Sequence, residues 1–180
     1  MGQGSERDRR RRPPWWWGLA LAAVLGAWPS AAGAQVNFRV ARSFAAGERP
    51  TSVALGDIDG DGDLDIATAS GDYADPGNVS VLLNAGGGGF APPRSFAVGD
   101  LPKSVALGDI DGDGDLDIAT ANRESNDVSV LLNTGGGSFA PAQAFAVGSR
   151  PYSVALGDLD GDGDLDIVPP TENPTTCRCC

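Results

Sequence analysis

One nine-residue pattern occurs three times in this chain: Asp57-Ile-Asp-Gly-Asp-Gly-Asp-Leu-Asp65, then Asp109–Asp117, then Asp158–Asp166. The copies differ only where Ile58 and Ile110 give way to Leu159, and they start 52 and 49 residues apart. Five carboxylates within nine residues repel one another strongly unless something positive sits among them. A hard divalent cation answers that need, because calcium accepts six to eight oxygen ligands in a flexible shell. In the first copy, Asp57, Asp59 and Asp61 offer side-chain oxygens at loop positions 1, 3 and 5. Gly62 at position 6 permits a sharp backbone turn. Asp63 at position 7 is expected to give its backbone carbonyl, and Asp65 at position 9 to close the shell. The corresponding ligands are Asp109, Asp111, Asp113, Asp115 and Asp117 in the second copy, and Asp158, Asp160, Asp162, Asp164 and Asp166 in the third. The expectation is about three Ca²⁺ sites.

The helix-flanked EF-hand loop requires a bidentate Glu at position 12. That position holds Thr68, Thr120 and Pro169 here. The flanks read as strands instead: Ser52-Val-Ala-Leu55 before the loop and Leu64-Asp-Ile-Ala-Thr68 after it are short and bounded by Gly or Pro.

The similarity between copies extends well past the loops. Phe44–Gly56 aligns with Phe96–Gly108 and Phe145–Gly157, and Asn78-Val-Ser-Val-Leu-Leu-Asn84 aligns with Asp127–Asn133. A Gly-rich turn and Phe-Ala-Pro follow, at Phe90 and Phe139. Each unit therefore holds four candidate strands in about 50 residues, the arithmetic of a β-propeller blade. Val79, Val81 and Leu83 fall on one strand face and Ser80 and Leu82 on the other, so both faces suit packing between neighbouring sheets. Ile58, Leu64 and Ile66 punctuate the aspartates and are expected to anchor the loop in the core. The predicted fold is all-β, a partial propeller of about two and a half four-stranded blades, with repeats at about 44–95, 96–144 and a partial 145–168.

On these residues the sequence resembles the FG-GAP repeats, also called VCBS repeats, found in integrin α-chain propellers and many secreted bacterial proteins. The matching features are the D-x-D-G-D-G-D-L-D loops, the preceding Ser-Val-Ala-Leu-Gly and the Gly-Gly-x-Phe turns. The resemblance implies a propeller fold with calcium in each matching loop, and it implies no reaction. Propellers of the family usually close with about seven blades. Phe38–Phe44 matches Phe90–Phe96, the last strand of a blade. After Val168 the pattern gives way to Pro169-Pro170, so the chain is expected to be a shortened product of a longer propeller.

Residues 1–34 are unlike the rest. Arg7 and Arg9 to Arg12 form a basic segment, Trp15 to Trp28 an apolar one, and Ala32-Gly-Ala34 an A-x-A cleavage site, together the pattern of a secretory signal peptide. The apolar stretch is too short to span a bilayer core needing about 20 residues. Removing this segment takes Lys and Arg from 13 to 8 and Asp and Glu from 24 to 22, a net charge of −14 against −11 for the whole chain. Fifteen of those acids lie in the three loops. Such a surface excludes nucleic acid as a partner, since affinity there comes from Lys and Arg on phosphates. Residues 169–180 form an irregular tail holding all three cysteines, Cys177, Cys179 and Cys180, too close together to frame a fold.

The expected function is a secreted or cell-surface calcium-binding module for extracellular binding or adhesion, with an extracellular protein or glycan as ligand. Tyr73 and Arg123 stand in the two segments that differ most between repeats, Gly71–Gly77 and Asn122–Asn126. The alternatives are a calcium-stiffened scaffold without a ligand and a fragment of a larger propeller-containing enzyme. The chain itself is not expected to be an enzyme. It has no histidine, which removes the usual general base, and calcium would occupy its carboxylates. Self-association through open blade faces is a further expectation, because exposed sheet edges invite pairing.

Overall fold

The structure, a computed structural model, describes residues 43–73 and 76–172. The expected signal segment, most of the Phe38–Phe44 match and the cysteine tail lie outside those residues. β1 (Pro50–Gly56), β2 (Asp65–Ser70), β3 (Asn78–Leu82) and β4 (Arg94–Ala97) form a four-stranded antiparallel meander in that order. β5 (Pro102–Gly108), β6 (Asp117–Asn122), β7 (Asp127–Leu131) and β8 (Gln143–Ala146) repeat it. β9 (Ala155–Gly157) and β10 (Asp166–Val168) form a two-stranded sheet, the inner half of a third unit. Every element among the described residues is a strand, and no helix there is long and apolar enough to cross a membrane. These are two complete blades and part of a third, as the repeat predicts.

Local chemistry accounts for the pairing. β1 and β5 each begin at a proline, which has no N–H to donate, and the ladder slips there, between Pro50 and Ser52 and between Pro102 and Ser104. The β-branched run of β3 pairs on both sides, with β2 and β4. The Gly-rich turn after it is closed by isolated bridges, Asn84 to Phe90 and Asn133 to Phe139 in the next blade.

Both faces of the middle strands are buried, the signature of a sheet held between neighbours. Val79, Ser80, Val81 and Leu82 are all nearly inaccessible. One apolar cluster joins Ala67, Ala69, Val79 and Val81 of blade 1 to Val105, Ile118 and Leu131 of blade 2. A second joins Ala119, Ala121, Val128 and Val130 of blade 2 to Val154 of the third unit. Aromatic pairs repeat at the outer strands: Phe44 meets Phe90 edge-on at 4.6 Å, and Phe96 meets Phe139 at 5.1 Å. Phe44 thus occupies the place that Phe96 takes one blade later.

The expected loop anchors divide. Ile58 is buried, whereas Leu64 is exposed. Its repeat counterpart Leu116 lies against Gly56 of the preceding blade, and the described residues place no such blade beside Leu64. Packing of this position depends on the neighbouring blade rather than on the loop.

Candidate metal centres

The three acidic segments are the connections β1–β2, β5–β6 and β9–β10, so they lie at corresponding strand ends of successive blades. Each makes its turn through two glycines in the left-handed region, Gly60 and Gly62 at φ 78° and 92° in the first. Gly112 and Gly114, then Gly161 and Gly163, repeat these angles closely.

Backbone amides hold the carboxylates in place. Asp57 Oδ1 accepts from Gly60 N and its Oδ2 from Gly62 N, both at 2.9 Å. Asp59 Oδ1 accepts from Asp61 N, and Asp61 Oδ1 accepts from Asp63 N at 2.8 Å. The same ladder recurs at Asp111 and Asp113, and at Asp160 and Asp162. One oxygen of each carboxylate at positions 3 and 5 thus orients the group, while the other adds to the charge of the loop. At position 9 the side chain turns inward. Asp65 is fully buried, with Oδ2 accepting from Ile58 N at 2.8 Å and Oδ1 from Asn84 N at 2.7 Å. Asp117 does the same with Ile110 N and Asn133 N. Asp166 accepts from Leu159 N at 2.8 Å and is only half-buried.

The structure brings one carboxylate oxygen from each of three residues within 4.8 Å of one another in every loop. The triplets are Asp57, Asp59 and Asp61; Asp109, Asp111 and Asp117; and Asp158, Asp160 and Asp166. Positions 1 and 3 are common to all, and the third member comes from position 5 or position 9. Asp63, Asp115 and Asp164 stand outside these triplets, their amides serving the position-5 carboxylates. Asp109 Oδ1 is buried and has no hydrogen-bond partner among the described residues. A buried, unpartnered carboxylate oxygen is costly in a protein interior. Burial raises the pKa of Asp117, the amides of Asn133 and Ile110 pulling it partly back. Burial also raises that of Asp59, with the neighbouring Asp65, Asp61 and Asp57 adding to it. Hard oxygen donors, converging charge and an orphaned oxygen fit a divalent cation such as calcium.

Two residues with a structural part in these loops were not singled out by the sequence reading. Asn133 donates from Nδ2 to Leu116 O at 3.1 Å and to Ile58 O of the preceding blade at 2.8 Å, while its Oδ1 accepts from Gly135 N. Asn84 makes the corresponding bonds to Leu64 O and Gly86 N within its own blade. The signal was present, since an Asn ends the Val-Ser-Val-Leu-Leu run in both repeats.

At the opposite strand ends the variable segments meet. Arg123 Nη1 donates to Tyr73 OH at 2.9 Å and to Glu124 Oε1 at 2.6 Å, and the guanidinium lies 5.2 Å from the ring centroid of Tyr152. Tyr152 OH and Arg150 Nη1 donate to Glu172 and hold its carboxyl below the usual range. Three repeats thus contribute to one exposed patch of aromatic rings and paired charges.

Stacked antiparallel four-stranded sheets, each with an acidic loop between its first two strands, define a propeller-type repeat protein. Family models give the class its name: an FG-GAP-like repeat matches residues 70–120 and 109–168, and an FG-GAP repeat matches residues 49–82. The chain belongs to the FG-GAP repeat family. No curated protein matches it.

Proposed function

We propose that this protein is a secreted calcium-binding β-propeller module that mediates extracellular binding or adhesion. The observation that carries the reading is the convergence of three carboxylates in each of three loops, with Asp109 Oδ1 buried and unpartnered in the middle one. Calcium would be held by Asp57, Asp59 and Asp61, by Asp109, Asp111 and Asp117, and by Asp158, Asp160 and Asp166. The ion supplies the positive charge that fifteen loop carboxylates lack. Because the same loops carry Ile58 and Ile110 into the apolar clusters, binding and blade packing are coupled. At the other rim, Tyr73, Arg123 and Tyr152 form the contact surface for a protein or glycan ligand, presented on rigid sheets. The chain acts by binding and carries out no reaction.

Calorimetric calcium titration of chelator-treated protein, paired with thermal melts, tests the metal reading. The expected result is three equivalents with dissociation constants of about 10⁻⁴ to 10⁻³ M, in the range of extracellular modules. At about 10 mM calcium, each such site adds roughly 1.4 kcal/mol or more to stability. No binding heat and an unchanged melt at that concentration would overturn it.

A further inference from the structure

Successive blades in this chain are joined by one repeated contact. A Cβ added at Gly56 would fall 2.7 Å from Leu116 Cδ1 and 3.0 Å from Leu107 Cδ1. One added at Gly108 would fall 2.8 Å from both Leu156 Cδ1 and Leu165 Cδ1. The glycine closing the first strand of a blade is therefore a seat for two leucines of the next blade, and it holds them because it has no side chain. A valine completes the joint: Val105 and Val154 are 7% and 6% exposed.

Among the described residues, blade 1 and the third unit carry the two halves of this joint separately. On blade 1, Val53, Leu55 and Leu64 are 62%, 61% and 59% exposed, whereas in blade 2 their counterpart Val105 is buried and Leu107 and Leu116 are half-buried. On the third unit the seat is open among the described residues, since a Cβ at Gly157 would meet none of them within 4 Å.

We propose that a second copy of this chain fills that seat, with Leu55 and Leu64 of one molecule docking head to tail on Gly157 of the next. The occupant follows from continuity with the joints inside the chain. The seat takes two leucines and a valine in the arrangement of Leu107, Leu116 and Val105, and the same chain displays that set, uncovered, on blade 1. The contact is heterologous, so it propagates into a ring or an open chain rather than stopping at a symmetric dimer. It does not depend on the metal reading. It brings the acidic loops 57–65 and 158–166 of neighbouring molecules close together, so added salt strengthens it.

Sedimentation velocity of the full chain tests this, in chelator and again in calcium, at about 0.5 M salt where charges are screened beyond about 4 Å. The expected result is an average mass that climbs past the dimer as concentration rises, under both conditions. Gly157→Trp fills an empty seat, and Leu55→Asp with Leu64→Asp alters two exposed side chains, so each variant retains the fold by circular dichroism. Each alone sediments as a monomer. Mixed in equal amounts they form a heterodimer and nothing larger, the first supplying its leucines and the second its glycine. A wild-type chain that stays monomeric, end variants that associate as the wild type does, or end variants that fail to pair when mixed would each overturn the proposal.

Discussion

The second and third acidic loops share eight of nine residues, yet they are built into different surroundings. In the second, Asp117 is sealed from solvent and gripped by the amides of Ile110 and Asn133. In the third, Asp166 is half-buried and accepts from Leu159 N at an exposed position. The difference arises outside the loops. β7 lies beside β6 and delivers Asn133 to Asp117, whereas β10 is paired only with β9 among the described strands. A groove of about 740 Å³ opens between β7, β8 and the third loop, bordered by Val128, Val130, Phe145 and Ile167. Loop sequence sets the turn and the donor atoms, and the third and fourth strands set how firmly the donors are held.

The sharpest way to break that comparison is at position 9. Asp117→Ala leaves two buried amides without an acceptor, each costing about 1–3 kcal/mol, so the loss should be roughly 3–4 kcal/mol. Asp166→Ala removes one bond at an exposed site and should cost about 1 kcal/mol. Denaturant unfolding in chelator, where no bound ion contributes, reads both, and equal losses would show that the strands around the second loop add nothing.

The next contrast lies in the asparagines. Asn133→Ala deletes a buried bond to Ile58 O of the neighbouring blade as well as one to Leu116 O, for an expected loss of about 2 kcal/mol. Asn84→Ala deletes two exposed bonds, to Leu64 O and from Gly86 N, and should cost about 0.5 kcal/mol. A reversed order would mean that the link between blades is not what makes Asn133 matter.

Much of this was legible in the sequence. Three aspartate runs at near-equal spacing gave the unit length, and the alternation in Val79–Leu83 gave two-sided packing. The strand candidates correspond to β1–β10. What escaped was everything set by a neighbour. Leu64 and Leu116 are the same residue in the same motif, yet one is exposed and the other sits on Gly56. Nor did the spacing reveal which carboxylates meet. Asp61 joins the first triplet, while Asp117 and Asp166 join the others. The bond between Tyr73 and Arg123 spans 50 residues and follows from blade stacking, which sequence variation flagged but could not connect.

Acidity gives a finer test of the buried carboxylate. The pKa of Asp117 is raised above its ordinary 3.8 by burial. Between that value and the raised one, the folded chain keeps a proton that the unfolded chain releases. Stability without metal therefore falls as pH rises through the window, and its favourable contribution is greatest at the acid side. Calcium binding has the opposite sign, since a protonated carboxyl is a poor ligand, so affinity falls as pH drops through the same window. Melting temperature against pH from about 3.5 to 6, in chelator, should fall less steeply in Asp117→Asn than in the wild type. Identical slopes would show that burial of Asp117 does not couple to protonation.

The losses at the loop glycines should be equal in all three loops, which makes them the control for the whole comparison. Gly62, Gly114 and Gly163 have φ of 92°, 96° and 99°, and a Cβ at any of them would meet nothing within 4 Å. Replacement by Ala is penalised only through backbone conformation, by about 1 kcal/mol at each position. Three equal losses in unfolding measurements, beside unequal losses at Asp117 and Asp166, would separate what a loop carries in itself from what its blade adds. A larger loss at Gly114 than at Gly163 would instead place the influence of the neighbouring strands within the turn.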